Sequence, residues 1–136
     1  MESENKVEET PSSLQSVWIV NYAGHEYLPA IRYGRFRYVT KGYVSFQSLD
    51  RVKFQIANEL MDSKPEDYLL LSGTTTICVI AAIVWYQMHK KIKILNWDKK
   101  ANNNQGDYKE MIISEENLTQ LLGVLNDNNQ ERGSGT

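Results

Sequence analysis

The sequence predicts an α/β fold, a small Rossmann-like sandwich in which helices pack on a central mixed sheet. Short, continuously apolar segments such as VWIV at 17–20 are typical of strands that are buried on both faces. Residues 66–98 show the pattern of a strand, a small-residue turn, an apolar helix and a second strand, the β-turn-α-β unit of such folds. Along the chain the predicted order is β, β, α, β, α, β, β, α.

The strands are predicted from two patterns. Residues 35–40 (RFRYVT) alternate, with Arg35, Arg37 and Val39 on one face, which indicates a strand with one wetter face. Continuous apolar runs predict the buried strands. The last strand is expected to lie antiparallel at the sheet edge, because the polar loop before it is too short for a helical crossover. The predicted strands are 17–20, 35–40, 68–71, 92–95 and 108–114, with a further extended piece at 43–46.

Three helices and one shorter helical segment are predicted between these strands. Ser48 is a favourable N-cap for a helix that reaches about Asp62 and carries its apolar residues at helical spacing. Ser114 similarly precedes a terminal helix with leucines on one side. A short helix is predicted at 26–33, where Pro29 restricts it to the first turn.

The helix predicted at 75–89 differs from the others because it is apolar on every side from Ile77 to Tyr86. A helix with no polar face has to be covered all round. One face can pack on the sheet, and we expect the other to meet another helix or another subunit. The sequence therefore predicts a homo-oligomer, a dimer or larger. The apolar run is about half of the ~20 residues needed to span a bilayer, so no membrane association is expected.

The composition predicts one domain at 17–126, between a disordered acidic leader at 1–16 and a disordered tail at 127–136. Between these ends the chain has 13 basic and 11 acidic residues, a balance that permits an anionic ligand without requiring one. The single cysteine, Cys78, cannot form an internal disulfide, and the leader lacks the apolar segment of a signal peptide. We therefore expect a cytoplasmic protein.

The turn formed by Ser72, Gly73, Thr74 and Thr75, between strand and helix, is the best candidate for a ligand site. Glycine permits close backbone approach, the hydroxyls donate hydrogen bonds, and the start of the helix offers free N–H groups. The turn has neither the Gly-Lys-Ser/Thr ending of a phosphate loop nor the glycines of a dinucleotide fingerprint. A capped turn without a ligand explains the same residues, and this alternative remains open.

Loops at the carboxyl ends of strands converge at one edge of an α/β sheet, so several polar side chains are expected to share a crevice there. Two of them suit a nucleotide, because the Asn96 amide can read a base edge and the Trp97 indole can stack on its face. A half-buried edge aromatic explains Trp97 equally well. The residues expected at this crevice are Asn21, His25, Ser72, Thr74, Asn96 and Trp97.

Arg35 and Arg37 belong to the densest basic and aromatic stretch, at 32–43. Arginines that project together from a strand can grip phosphates while aromatic rings stack on bases. A solvated sheet face with its aromatic residues in the core explains the pattern equally well. Nucleic-acid binding is therefore the less favoured interpretation.

No catalytic residue, metal ligand or cofactor is predicted. The two histidines, His25 and His89, lack the repeated flanking motif of a paired-histidine phosphoesterase, and Cys78 lies in the middle of an apolar helix. There is no His, Cys and Asp set with metal-ligand spacing. Binding groups without acid–base groups favour capture of a ligand over its turnover.

The stretches VWIVNYAGHEY, SKPEDYLLLSGTTT and IKILNWDKK, followed by YKEMII, resemble small phage-encoded α/β proteins, and within them the anti-defence sponges that counter the Thoeris system. The resemblance covers residues 17–114. It implies a non-enzymatic oligomer that sequesters a cyclic ADP-ribose signal, and some members also take cyclic oligonucleotides. It also implies stacking on Trp97 beside Asn96. Where that group has an arginine in the last strand, this chain has Lys109, which lacks the planar fork.

Two other interpretations remain open. The strand-SGTTT-helix unit is similar to the ligand loop of CRISPR-associated Rossmann domains that sense cyclic oligoadenylates, although it lacks their second glycine and lysine. The remaining interpretation is an oligomeric structural or nucleic-acid-binding protein that uses the basic residues at 32–41.

Overall fold

The computed structural model describes residues 15–22, 24 and 27–134, and of residues 130–134 it describes only the backbone. Within these ranges the strands and helices follow the predicted order, and the α/β fold class is confirmed. The elements are β1 (Ser16–Tyr22), a 3-10 helix (Leu28–Tyr33), β2 (Arg35–Lys41), α1 (Leu49–Leu60), β3 (Tyr68–Leu70), α2 (Thr75–His89), β4 (Lys91–Asp98), a single helical turn (Ala101–Asn104), β5 (Asp107–Ser114) and α3 (Glu115–Ser134).

The sheet has the strand order β2-β1-β3-β4-β5. The first four strands are parallel, and β5 pairs antiparallel with β4 at the edge, as predicted. From β1 the chain runs outward to β2, returns across β1 to β3 and continues to β4. The segments after β1 and β3 pack on opposite faces of the sheet, which opens a crevice at the carboxyl ends of these two strands.

Both faces of the sheet are buried at its centre, which explains why the central strands are continuously apolar. Trp18 and Leu69 pack beneath α1 and α2 on one face. Ile19 and Leu70 point to the other face, where Ala30 of the 3-10 helix covers them. The alternation follows from the pleat, since successive side chains of a strand point to opposite sides.

Local sequence signals determine where several elements begin. Ser48 caps α1, and its Oγ accepts a hydrogen bond from the Arg51 backbone N–H at 3.3 Å, as predicted. Pro29 lies at the start of the 3-10 helix, where its missing N–H costs nothing. The polar loop between β4 and β5 turns through three consecutive asparagines with positive φ, a conformation that asparagine tolerates better than most residues: Asn102, Asn103 and Asn104.

Some predicted boundaries differ from the structure. The extended piece at 43–46 does not join the sheet, and β3 ends one residue earlier than predicted, at Leu70. The last helix continues to Ser134, through the segment predicted as a disordered tail, because a helix already nucleated extends through polar residues at little cost. Of the predicted leader, 1–14 lie outside the described residues, and Ser16 already belongs to β1.

The apolar helix α2 is covered on one side. Ile77, Ala81 and Trp85 are buried against the sheet and α1, whereas Val79 and Ile83 are 50% and 54% exposed. An outer apolar face is therefore left open by the described part of the chain, and the predicted oligomer remains a prediction. None of the helices seen in the described residues combines the length and apolarity needed to cross a bilayer.

Candidate functional site

A crevice of about 440 Å³ lies at the carboxyl ends of the parallel strands, beside the switch point between β1 and β3. Its lining comes from the start of the 3-10 helix, the end of β3, the end of β4 and the start of β5. The lining residues are Tyr27, Leu70, Leu71, Ser72, Gly73, Asn96, Trp97 and Tyr108. The predicted ligand residues that meet in this crevice are Ser72, Gly73, Asn96 and Trp97.

Hydroxyl groups fix one wall of the crevice. The Tyr27 hydroxyl donates to the backbone carbonyl of Asn21 at 3.2 Å and lies 2.6 Å from Ser72 Oγ. Because a phenol has one proton to donate, the Ser72 hydroxyl donates its own to Tyr27. This pair of hydrogen bonds ties the turn after β3 to the end of β1.

Gly73 allows this turn to approach the end of β1. Its φ is +105°, and a Cβ there would lie 2.7 Å from Asn21 Cβ and 3.0 Å from Ile77 Cδ1. Asn21 is buried, and its amide Nδ2 donates to the Gly42 carbonyl at 3.0 Å while Oδ1 accepts from the Thr40 hydroxyl at 3.0 Å. Asn21 therefore positions the loops behind the crevice and does not line it.

The start of α2 lies next to the Ser72–Gly73 turn. Thr74 is its N-cap residue, but the threonine side chain makes no capping hydrogen bond. Thr74 and Thr75 are exposed and stand outside the crevice lining. The backbone N–H groups of the first turn, together with the helix dipole, favour an anion at this end. Burial raises the pKa of the nearby Cys78 thiol, which keeps it protonated and unreactive at neutral pH.

A second wall is formed by Trp97, whose indole is 42% exposed. The ring packs edge-on against Tyr108, with ring centres 4.9 Å apart and planes at 71°. Gly106 lies directly against the indole, because a Cβ at this position would be 2.2 Å from Trp97 Cζ2. The indole is therefore held in place on two sides while part of its surface faces the crevice.

An ion pair anchors the strand that carries Tyr108. Arg32 donates from Nη1 and Nη2 to the two carboxylate oxygens of Asp107, each at 3.0 Å, and from Nη1 to the Pro29 carbonyl at 2.8 Å. The bidentate guanidinium holds the pKa of Asp107 below its ordinary value. This contact joins the 3-10 helix to the start of β5, and therefore fixes two sides of the crevice relative to each other.

Lys109 does not line the crevice. In the antiparallel register Trp97 faces Tyr108 and Asn96 faces Lys109, so the lysine lies on the other side of the sheet from the two aromatic rings. Its Nζ is 3.0 Å from Asp98 Oδ2, and this contact lowers the pKa of Asp98. Lys109 therefore contributes nothing to the lining of this crevice, and its role as a ligand partner stays a prediction. Asn96 lies at the rim, exposed, and does line the crevice.

Arg35 and Arg37 lie away from the crevice, on the edge strand β2. Both are exposed, but the Arg37 guanidinium stacks over the Trp18 ring at 4.3 Å and lies 3.5 Å from the Asp62 carboxylate. Arg37 is thus already engaged in contacts within the fold. Arg35 is exposed on the same edge strand, and the role of these two arginines in binding phosphates or nucleic acid stays a prediction.

His25 lies outside the described residues. His89 Nε2 is 2.9 Å from Ser63 Oγ, a pair that the sequence analysis did not identify. The Ser63 hydroxyl donates its proton to the Leu60 carbonyl at 2.6 Å, and Ser63 therefore connects the end of α1 to His89 at the end of α2. In the described part of the chain, no group of three or more His, Cys, Asp or Glu residues is placed to hold a metal ion.

The crevice offers aromatic surface, hydroxyls, one side-chain amide and backbone N–H groups. Its lining includes no carboxylate, histidine, lysine or arginine among the described residues. Burial raises the pKa of Tyr108, so its phenol is neutral at physiological pH. The aromatic surface can stack on a flat ring, and the amide and the backbone N–H groups can donate hydrogen bonds. Tyr27 and Tyr108 were not predicted as site residues, although an aromatic residue opening the last strand was a visible signal for Tyr108.

The fold and the crevice define an α/β protein with a small-molecule-sized site at its switch point. A family model described as phage Pam3 gp32-like protein matches residues 15–114, which is more than half of the chain. The chain therefore belongs to this family and is a phage protein. Comparison with curated proteins and with solved structures gave no match.

Proposed function

We propose that this phage protein binds a nucleotide in the crevice and sequesters it without turnover. The observation that carries the proposal is the half-exposed indole of Trp97, which Tyr108 and Gly106 hold in the crevice that also contains the Ser72–Gly73 turn. A flat aromatic surface close to hydroxyls and helix N–H groups matches a ligand with a base at one end and a phosphate at the other.

Each lining group has a role in this proposal. The base stacks on Trp97, and the Asn96 amide, which both donates and accepts, pairs with an edge of the base. The phosphate lies at the Ser72–Gly73 turn, at the border of the crevice, and extends beyond the lining to the first N–H groups of α2, which donate hydrogen bonds to it. Because the lining is uncharged, the phosphate charge is balanced by these dipoles, and we expect binding to depend only weakly on salt.

Within this class we propose a cyclic nucleotide signal of the cyclic ADP-ribose type, captured by the phage protein to block a host defence. The phage family supports this setting. The crevice volume of about 440 Å³ is within the range of about 300–1,000 Å³ that is usual for small-molecule sites. A volume near the lower end favours a ligand of mono- or dinucleotide size over larger cyclic oligonucleotides.

The test is the melting temperature of the purified protein, measured with cyclic ADP-ribose isomers, cyclic di- and oligonucleotides and AMP. A single site at 100-fold excess of ligand over Kd should stabilise the protein by about 2.7 kcal/mol. Recovery of the ligand after denaturation shows whether it is intact, as sequestration requires. Absence of a shift with every nucleotide would overturn the proposal, and recovery of a cleaved ligand would replace capture with hydrolysis.

Two controls make the result specific. Trp97→Ala should lose the ligand-dependent shift, while Tyr43→Ala, which removes a 92% exposed aromatic ring outside the crevice, should keep it. Binding of DNA or RNA that weakens steeply as salt rises would favour the basic residues of β2 instead.

A further inference from the structure

An apolar groove of about 360 Å³ lies along α2, away from the crevice. We define the apolar groove by Ala82, Ile83, Tyr86, Ile92, Ile113 and Leu118. Ile92 of β4 and Ile113 of β5 are partners in the sheet register and form its floor. Ile83 and Ile113 remain 54% and 37% exposed, so the described part of the chain does not fill this groove.

The terminal helix α3 has an apolar side that the described part of the chain leaves uncovered, just as it leaves the apolar groove unfilled. Every described side chain from Glu115 to Asn129 is exposed. An isolated helix is marginally stable in water and gains most of its stability by packing an apolar side. Four leucines recur at helical spacing along one side of α3 and are between 40% and 59% exposed: Leu118, Leu121, Leu122 and Leu125. The helix therefore requires a surface to cover these leucines.

The groove of the same chain cannot supply that surface. β5 ends at Ser114 and α3 begins at Glu115, so there is no linker in which the chain could turn back. The Ser114 hydroxyl accepts from the Asn117 N–H at 3.2 Å, and this cap fixes the direction of the helix. Leu118 reaches the edge of the apolar groove, and the following leucines stay exposed.

We propose that two copies of the chain exchange their terminal helices, so that α3 of each copy lies in the apolar groove of the other. In the described part of each chain the apolar groove is open and α3 is uncovered, and the two are continuous at Leu118. A two-fold axis can therefore cover both surfaces in both copies, as an isologous interface requires. The proposal is independent of nucleotide binding, because groove and crevice share no lining residue.

The exposed apolar area is sufficient for a stable dimer. Eight side chains around the apolar groove and along α3, each between 37% and 59% exposed, present on the order of 700 Å². A standard interface takes about 600–1,000 Å² from each partner, so this area lies within the usual range. The eight side chains are Val79, Ile83, Met111, Ile113, Leu118, Leu121, Leu122 and Leu125.

Sedimentation equilibrium of the full-length chain tests the dimer. We expect a two-subunit mass at micromolar concentration, and Leu122→Glu should weaken dimerisation by at least about 100-fold. The matched control Gln120→Glu places the same charge on the other side of α3 and should keep the dimer, with circular dichroism confirming that both variants fold. A monomeric wild-type chain, or a dimer that Leu122→Glu leaves intact, would overturn the proposal.

Disulfide cross-linking tests the exchange itself, in a Cys78→Ala background. A chain with Ile83→Cys, mixed with a chain of different mass with Leu122→Cys, should form a mixed disulfide, because groove and helix come from different copies. Preferential linkage of two Leu122→Cys chains would show that the helices pair with each other, and this result would contradict the exchange.

Discussion

The ring of Tyr108 meets the Trp97 indole edge-on, with ring centres 4.9 Å apart and planes inclined at 71°. The two residues are direct partners in the antiparallel register of β4 and β5, and therefore point to the same side of the sheet. Edge-to-face packing of this kind stabilises an aromatic pair beyond the effect of area burial. The Tyr108 ring is buried, whereas the Trp97 indole keeps part of its surface exposed in the crevice. This combination of fixed orientation and exposure is what a stacking platform requires.

Replacing Trp97 by alanine should affect binding more than folding. Removal of a base-stacking aromatic ring typically costs about 1–3 kcal/mol of binding free energy. The affinity for a nucleotide that raises the melting temperature of the wild type should therefore fall about 5- to 150-fold. Trp97→Phe should retain part of the affinity, since it keeps a flat ring. Isothermal titration calorimetry of wild type, Trp97→Phe and Trp97→Ala measures whether affinity decreases in that order. Equal affinities for wild type and Trp97→Ala would exclude the indole as the platform.

Gly106→Ala should destabilise the fold and displace the indole. Gly106 has φ +91°, and an added Cβ would lie 2.2 Å from Trp97 Cζ2. Gly42 is the matched control, because it also has positive φ, +67°, but nothing lies within 4 Å of the added Cβ. Left-handed backbone alone costs alanine about 1–2 kcal/mol, and the clash should add about 1–3 kcal/mol. Urea unfolding measures both variants, and equal losses would contradict the packing at Gly106.

The fold was predictable from the sequence because its signals are local. The apolar runs at 17–20 and 68–71 predicted central strands, and Ser48 predicted the start of α1. The short polar loop after β4 predicted an antiparallel edge strand, which the structure confirms. The length of α3 was not predictable in this way, since its polar second half contains no residue that forces a helix to end.

The candidate site was predictable only in part. Convergence of loops at the sheet edge correctly grouped Ser72, Asn96 and Trp97. Period two shows that Asn96 and Trp97 point to opposite faces, but it does not show which of them shares a face with Lys109. That relation depends on the register between β4 and β5, which the left-handed asparagine turn determines. The same register brings Tyr108 into the crevice.

Asp67 should be a strong determinant of stability. Its buried carboxylate accepts hydrogen bonds from the Ser16 N–H, the Trp18 indole N–H and the Lys64 N–H, each at 3.0 Å. Asp67→Ala leaves these donors without an acceptor and should lower the free energy of unfolding by about 3 kcal/mol. Asp62→Ala is the control, because its ion pair is exposed and should contribute less than about 1 kcal/mol. Chemical denaturation compares them, and similar losses would refute this role.

His89 should make stability depend on pH. Burial lowers the pKa of His89 below its ordinary value of 6.5. The negative charges of Asp67 and Glu66 raise this pKa, but their effect is smaller than that of burial. Because the pKa of His89 is lower in the folded chain than in the unfolded chain, protonation of this histidine favours unfolding. Stability is therefore full above about pH 6.5 and decreases as the pH falls through the folded-state pKa. His89→Gln should remove this decrease, while His25→Gln serves as the control for the other histidine. Urea midpoints at pH 7.5, 6.5 and 5.5 measure the effect, and identical pH profiles of wild type and His89→Gln would contradict it.

The most direct test of nucleotide binding is an NMR titration of the three indole N–H signals with cyclic ADP-ribose isomers and the other nucleotides. Trp18 donates its indole proton to Asp67, and Trp85 is fully buried, so both signals should stay in place. The Trp97 signal should move and saturate with a ligand that also raises the melting temperature. A Trp97 signal that stays unchanged with every nucleotide, or that moves no more than those of Trp18 and Trp85, would contradict binding in the crevice.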